Sequence, residues 1–210
     1  MLKLEEAKKI FEKLYSKVDG RALSLKGREE QNLESKSFVY GEVVPEGFYQ
    51  LISDLNPQPG EVFYDLGSGT GKALLLAHML FDFKKCVGIE LLDALYATSA
   101  EMVKRYERDI RKKIIDAVDN REVKVIHGDF LKQDISDADI VFMNSTCFQE
   151  DLMALLEEKL ESVHANAHII SLSKPLKSPA YHQYKHKLYD FSWGQATAFY
   201  HRKRLWKIYE

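Results

Sequence analysis

Between Glu61 and Phe81 the chain changes character twice. A strand-like run, Glu61 to Leu66, enters the loop Asp65-Leu66-Gly67-Ser68-Gly69-Thr70-Gly71, which passes directly into a helix-like run, Lys72 to Phe81. Alternate glycines permit backbone conformations and close approaches that a side chain would block. A strand, a glycine-rich turn and a helix in immediate succession are the opening unit of a doubly wound sheet. Ligands of such sheets bind outside the carboxyl ends of the strands, where the strand order reverses. This segment therefore constrains both the fold class and the place to look for a site.

The rest of the chain keeps the alternation. Lys85 to Glu90 reads as a strand, followed by a long helix from Asp93 to Val118. Glu122 to His127 and Ile140 to Asn144 read as strands, Glu150 to Val163 as a helix, and His168 to Leu172 as a fifth strand. Tyr181 to Trp206 is aromatic-rich with partial alternation, which predicts a pair of antiparallel strands. The whole is an α/β pattern, a doubly wound and mainly parallel sheet. Ahead of it, Leu4, Ala7, Phe11, Leu14 and Tyr15 recur at helical spacing and predict an amphipathic helix. Ser16 to Gly27 carries two glycines without a strong period and reads as a loop, with Leu23 and Leu25 free to dock on the main domain. A short helix is expected from Pro45 to Leu55, and Asn56-Pro57-Gln58-Pro59-Gly60 then punctuates the chain. The division is a small helical N-terminal segment over residues 1–56 and a main domain over 57–210.

Composition narrows the class. A chain of 210 residues with 45% hydrophobic and 30% charged residues has enough apolar surface for a substantial core. A formal charge of −2 supplies no bulk electrostatic case for nucleic-acid binding. Cys86 and Cys147 form no C-x-x-C pair, and His127, His164 and His168 lack metal-ligand spacing, so neither a disulfide framework nor a metal site is expected. The longest apolar stretch, Ala73 to Phe83, is interrupted by His78 and Asp82 and is too short for a bilayer. A soluble intracellular protein is expected, in the cytoplasm first, with the nucleus also compatible.

The loop spacing is G-x-G-x-G, not the G-x-G-x-x-G that brings a dinucleotide pyrophosphate to a helix N-terminus. An acid at its head, Asp65, suits a cation better than a phosphate. Glu90 ends the second strand, where a carboxylate can accept ribose hydroxyls. His127-Gly128-Asp129-Phe130 follows the third, where Asp129 could receive an adenine amino group and Phe130 could pack on the ring. S-adenosylmethionine carries an ammonium, a sulfonium, a ribose and an adenine, and no phosphate. Its expected contacts are Asp65, Gly67, Ser68, Gly69, Thr70, Gly71, the first helical residue Lys72, Glu90, Asp129 and Phe130. The bland alternative is a glycine turn with acids that happen to end strands; acids at three successive strand ends weigh against it.

Several separated segments carry a more specific resemblance. Tyr40-Gly41-Glu42, Asp65 to Gly71, Gly88-Ile89-Glu90, Gly128-Asp129-Phe130-Leu131, Phe142-Met143-Asn144 through Phe148, Ser173-Lys174-Pro175, and Ser192-Trp193 followed by Phe199-Tyr200 occur in this order. Together, from Ser37 to Arg202, they resemble the catalytic core of the disruptor-of-telomeric-silencing (Dot-one-like) family, class I histone-lysine N-methyltransferases that use a Rossmann-like sheet instead of the SET fold. The resemblance implies an S-adenosylmethionine-dependent protein-lysine methyltransferase whose acceptor is a histone or another protein. It implies that Tyr40 and Glu42 line the cofactor pocket, that Asn144 serves both cofactor and methyl transfer, and that Phe148, Trp193, Phe199 and Tyr200 wall a lysine channel. The chain departs from the family pattern at Ser145, which replaces a second asparagine, at Thr146-Cys147, which replaces Phe-Ala, and at Val43, which replaces a threonine.

Methyl transfer from a sulfonium is an in-line displacement governed by positioning, and it requires a neutral amine. An apolar channel lowers a lysine pKa by desolvation, and aromatic faces tolerate cations. Two other readings share the fold: methylation of a small molecule or nucleic acid, and a catalytically silent S-adenosylmethionine-binding module. The nucleobase signature Asn/Asp-Pro-Pro-Tyr is absent, since Asn144-Ser145-Thr146-Cys147 stands after the fourth strand.

Overall fold

The computed structural model describes residues 1–33, 41–112 and 119–204. Strands β1 (Val62–Leu66), β2 (Lys85–Glu90), β3 (Glu122–His127), β4 (Ile140–Met143), β5 (His168–Leu172), β6 (Tyr181–Phe191) and β7 (Gly194–Lys203) form one sheet in the order β3-β2-β1-β4-β5-β7-β6. The first five are parallel, and β7 runs antiparallel between β5 and β6. The order reverses between β1 and β4, so the carboxyl ends of these two strands flank the switch point. Strands β1 and β4, Val-Phe-Tyr-Asp-Leu and Ile-Val-Phe-Met, are buried at every residue. That is why they read as continuous apolar runs without alternation.

Two cores cover the two faces. Helices α1 (Leu4–Tyr15), α3 (Pro45–Ser53), α4 (Lys72–Leu80) and α5 (Asp93–Arg105) bury Leu14, Phe48, Leu51, Leu75 and Met102 against Phe63, Phe142 and Ile170 on one face. On the other face, α6 (Glu150–Lys159) packs Met153 and Leu156 against Tyr64, Val141 and Ile169. The turn Asn56–Gly60 divides the chain in sequence but not in its core, because Leu14, Phe48 and Ile52 share one cluster with Phe63 and Phe142. Among the described residues no helix is long and apolar enough to cross a membrane.

The structure departs from the sequence reading in three places. Ser16 to Gly27 is not a loop: α2 (Gly20–Glu30) forms there, with the Asp19 side chain accepting from the Ala22 amide at 3.0 Å. Its buried positions are Gly20, Ser24 and Gly27, whose small side chains let it approach α5 closely but give no hydrophobic period. The long helix after β2 runs as α-helix only to Arg105 and continues as a π-helical turn, Tyr106–Arg111; residues 113–118 lie outside the described part. The C-terminal pair is a long hairpin with a register shift between Gln183 and Lys185, and β7 stops at Lys203 rather than at Trp206, which lies outside the described residues.

The hairpin is knotted to α3 by two tyrosines. The Tyr200 hydroxyl, fully buried, lies 2.5 Å from that of Tyr189 and 3.0 Å from the Leu51 carbonyl, and Tyr189 donates to Asp54. Burial works against ionisation of Asp54, but hydrogen bonds from Tyr189, Lys187 and Lys185 win and hold its carboxyl down at about 2. Tyr200→Phe removes one hydroxyl from this knot and leaves its partners short. It should cost about 1–3 kcal/mol of stability, read as a lower midpoint in urea denaturation; an unchanged midpoint would show that the knot does not hold hairpin to helix.

Candidate functional site

At the switch point, two carboxylates end adjacent strands. Asp65 is 2% exposed and Glu90 6% exposed, one at the end of β1 and the other at the end of β2. Burial raises the pKa of both. For Asp65, loss of solvation comes first and the neighbouring Glu90 charge second, and together they push it up to about 8. Glu90 is better supplied with donors: one oxygen accepts from the Leu92 amide at 2.8 Å and the other from the Gly69 amide at 2.7 Å. The glycine loop is thereby tied to the second strand.

The loop geometry explains its composition. Gly67, Gly69 and Gly71 have φ of +79°, +56° and +82°, in the left-handed region. Gly71 also caps α4, and a Cβ there would lie 2.4 Å from the Ser99 hydroxyl of α5. The turn thus packs two helices as well as reversing the chain.

Above the loop, Lys72 in the first turn of α4 pairs with Glu42 at 2.5 Å, while its ammonium lies 5.2 Å and 5.8 Å from the ring centroids of Tyr15 and Phe11. The Tyr15 hydroxyl donates to the Thr70 carbonyl at 3.1 Å, so α1 braces the loop from behind. Residues 41–43 cross the mouth of the site and are held from two sides. Asn144, just past β4, donates from Nδ2 to the Gly41 carbonyl at 3.0 Å. From the hairpin, the Ser192 amide donates to the Glu42 carbonyl at 3.1 Å, and Val43 forms a bridge with Phe191.

These elements enclose a cleft of about 230 Å³. Its polar lining comprises Glu42, Asp65, Ser68, Lys72, Glu90, Asp129 and Asn144, and its apolar lining includes Leu91, Leu92, Leu95, Phe130, Leu131, Phe142, Phe148 and Leu152. Phe130 and Phe148 stack at 6.0 Å between centroids. Among the described residues of the lining, four acids face one base, and that base is already paired with Glu42. Three buried oxygens here have no hydrogen-bond partner among the described residues: Asp65 Oδ2, Ser68 Oγ and Glu42 Oε1. A cleft short of donors is suited to a ligand that brings cationic and hydroxyl hydrogens. Among the described residues no group of three or more His, Cys, Asp or Glu side chains is placed to hold a metal ion.

Most of the residues singled out from the sequence converge here. Glu42, Asp65, Gly67, Ser68, Lys72, Glu90, Asp129, Phe130, Asn144 and Phe148 line the cleft. Gly69 and Gly71 shape the loop beneath it, and Thr70 is fully buried with its carbonyl turned to Tyr15. Tyr40 lies outside the described residues. Of the residues expected to wall a lysine channel, the structure brings Phe148 to this cleft and places the others elsewhere. Consecutive strand residues point to opposite faces, so Phe199 and Tyr200 cannot share a wall. Tyr200 belongs to the core under α3, and Phe199 packs on His186 at 6.1 Å; neither lines the cleft. Trp193 stands one layer back, 39% exposed, stacked on Phe191 and pressed against Gly41, where a Cβ would come within 2.8 Å of its ring.

Sequence reasoning missed Leu91, Leu92 and Leu95, which continue from Glu90 into α5, and Phe142, Leu131 and Leu152. The position directly after an acid at a strand end was the available signal for the first two. No local signal marked Tyr15, whose role depends on how α1 docks.

Comparison with known proteins follows the same lines. Residues 22–195 match the family described as "Histone methylation protein DOT1". Two curated relatives, both named "Histone-lysine N-methyltransferase, H3 lysine-79 specific", come from Drosophila melanogaster and Caenorhabditis elegans. They are 30% identical over 140 residues and 34% identical over 142 residues, covering 63% and 61% of this chain. The chain spans 7% and 14% of their respective lengths. Among solved structures, an RNA methyltransferase from Salinibacter ruber in complex with S-adenosyl-L-homocysteine matches 80% of this chain and 96% of its own, at 19% identity and a TM-score of 0.56. The tRNA methyltransferase TrmK of B. subtilis matches 74% of this chain and 65% of its own, at 14% identity and a TM-score of 0.56. These likenesses show the class I methyltransferase fold.

The raised Asp65 pKa has a thermodynamic signature in the free protein. The carboxyl has an ordinary value of 3.8 and a folded value of about 8. Between the two, the folded state holds a proton that the unfolded state has lost, so stability falls as pH rises from about 4 to about 8 and is level above that. Asp65→Asn removes this slope. Its thermal midpoint should match that of the unsubstituted protein near pH 4 and exceed it above pH 8; parallel curves across the range would mean that Asp65 is already ionised.

Proposed function

This chain belongs to the DOT1 family of histone methylation proteins, and on that premise we propose that its cleft holds S-adenosylmethionine and delivers the methyl group to a lysine side chain of a protein. The observation that carries the cofactor is the set of unpartnered buried oxygens, Asp65 Oδ2, Ser68 Oγ and Glu42 Oε1, beside the strand-end acids. S-adenosylmethionine supplies the donors they lack, from its ammonium and its ribose hydroxyls, and brings no phosphate to repel. Asp65 and Glu42 would hold the methionine end, Glu90 the ribose, and Asp129 with Phe130 the adenine. Phe142, Phe148 and Leu152 form the apolar side.

Bound S-adenosylmethionine supplies an electrophilic methyl on a sulfonium. The residues around it bind, orient and exclude water, which is the main requirement of an in-line displacement. Ionised Asp65 neutralises a cation that would otherwise be costly to bury. Phe148 and its apolar neighbours lower the proton affinity of an entering amine by desolvation. The acceptor amine loses its proton to water as it enters, so turnover rises with pH above neutrality. The acceptor as a protein lysine rests on family membership; the curated relatives are named for lysine 79 of histone H3.

Two measurements test this reading. Calorimetry should show binding of S-adenosylmethionine and S-adenosylhomocysteine but not of NAD. Glu90→Gln replaces charge-assisted hydrogen bonds worth about 1.5–3 kcal/mol each, so affinity should fall about tenfold to a hundredfold; unchanged affinity would remove Glu90 from the site. Transfer is tested with labelled cofactor against histones, nucleosomes and cell lysate, followed by mass spectrometry of the product. Methyl groups on lysine are expected; methyl groups confined to arginine, a nucleobase or a small metabolite would overturn the acceptor class.

A further inference from the structure

Asn144 lines the cleft, and its amide has two different ends. The Gly41 carbonyl can only accept, so the group 3.0 Å from it must be the amide nitrogen. The amide oxygen is then the atom that receives the Thr146 hydroxyl, also at 3.0 Å. The Gly41 carbonyl thus sets which way the amide faces, and the Thr146 hydroxyl adds a second hydrogen bond to that orientation.

The chain of bonds does not stop at Thr146. Its Oγ1 lies 3.1 Å from the Ser173 hydroxyl. A hydroxyl has a single hydrogen, and that of Thr146 is spent on Asn144, so Ser173 is the donor. Ser173 is exposed and sits at φ +63°, an uncommon conformation for serine, directly after β5. Two further contacts stitch the same pair of loops. The Ser145 hydroxyl exchanges hydrogen bonds with the backbone of Leu172, and the Lys174 ammonium donates to the Phe148 carbonyl at 2.5 Å. The relay thus runs from the surface, across the ends of β5 and β4, to the strap at residues 41–43.

We propose that Thr146 and Ser173 are positioning residues whose hydroxyl relay locks the Asn144 amide, and that this lock holds the Gly41–Val43 strap closed over the cleft. With Thr146 unable to donate, Asn144 Oδ1 loses that partner, and the side chain leaves its place against the Gly41 carbonyl more often. The strap keeps its anchors to Lys72 and the hairpin, but its hold on β4 weakens. In its effect on turnover the inference rests on the proposed methyl transfer; in its effect on the strap it does not.

The test compares Thr146→Val, which keeps the shape and removes the hydroxyl, with Thr146→Ser, which keeps the hydroxyl. Amide hydrogen exchange over residues 41–43 in the free protein should speed up about fivefold or more in Thr146→Val and stay near the original rate in Thr146→Ser. With S-adenosylmethionine and a methylated acceptor, kcat should fall about fivefold to tenfold in Thr146→Val with less than a twofold change in KM for the cofactor, and Thr146→Ser should restore it. Should Thr146→Val fail to fold, Thr146→Ala removes the same hydroxyl with a smaller side chain and should give the same rise, while Ser173→Ala, which leaves the Thr146–Asn144 bond in place, should give a smaller one. Unchanged exchange in Thr146→Val, or equal impairment in Thr146→Ser, overturns the relay, the latter by assigning the effect to packing of the methyl group. If the unsubstituted protein neither binds S-adenosylhomocysteine nor transfers methyl groups, the functional reading fails, while the exchange contrast still decides the relay.

Discussion

Two buried carboxylates near the ends of adjacent strands set the terms for the rest of this structure. Asp65 and Glu90 end neighbouring parallel strands at the switch point of the sheet, and both are almost fully buried. Such a pair resists double ionisation, because each charge is poorly solvated and each repels the other. The protein resolves half of the problem itself. Glu90 takes amides from Leu92 and from Gly69, and the second bond is possible only because the glycine loop folds back over it. Asp65 receives no such donor at Oδ2. The free protein therefore carries a buried acid whose natural partner is a cation from outside, and that gap in the hydrogen-bond accounting is the physical content of the word site.

The surrounding elements can be read as the framework for that gap. The N-terminal helix contributes Tyr15, which holds the Thr70 carbonyl and offers its ring to Lys72. Lys72 in turn holds Glu42, so the one base on the lining is consumed in fastening the strap and does not neutralise Asp65. The hairpin reaches the same strap from the far side through Phe191 and Ser192. Segments from both ends of the chain thus meet over a cleft made by the middle, and the core under α1 and α3 is continuous with that of the sheet. The small helical segment that looks separable in sequence is part of the wall.

What the sequence disclosed and what it withheld follow from one distinction. Strands buried on both faces appear as apolar runs, and acids that interrupt those runs at their ends stand out, which is why Asp65 and Glu90 were legible without a structure; Asp129, past the partly exposed β3, was legible only by its place after the third strand. Helix α2 was not legible, because Gly20, Ser24 and Gly27 make its contact face and small residues leave no trace in a hydrophobic period. The placement of Tyr200 and Phe199 was not legible for a related reason. Their aromatic character was visible, but the face each occupies is set by register with β5, where Phe199 stands opposite Ser171 and Tyr200 opposite Ile170. The Thr146–Ser173 contact links residues 27 positions apart through short side chains, and nothing in either local stretch announces it.

Removing Phe199 and Tyr200 from the cleft changes how its chemistry must be argued. An aromatic cage would have offered rings on several sides of the reacting centre. The lining instead intersperses four acids, Glu42, Asp65, Glu90 and Asp129, with apolar Phe142, Phe148, Leu131 and Leu152, and Asp65 and Phe142 are partners across β1 and β4. The two sets ask for opposite things. The acids favour charged hydrogen-bond donors and would stabilise an ammonium as readily as any other cation. The apolar residues disfavour charge and so favour a neutral amine. On the proposed reading, a bound cofactor whose ammonium and ribose engaged Asp65 and Glu90 would cover these acids, leaving Phe148 and its neighbours to the acceptor amine. Cofactor before acceptor is then the order of binding that the charges of the cleft favour.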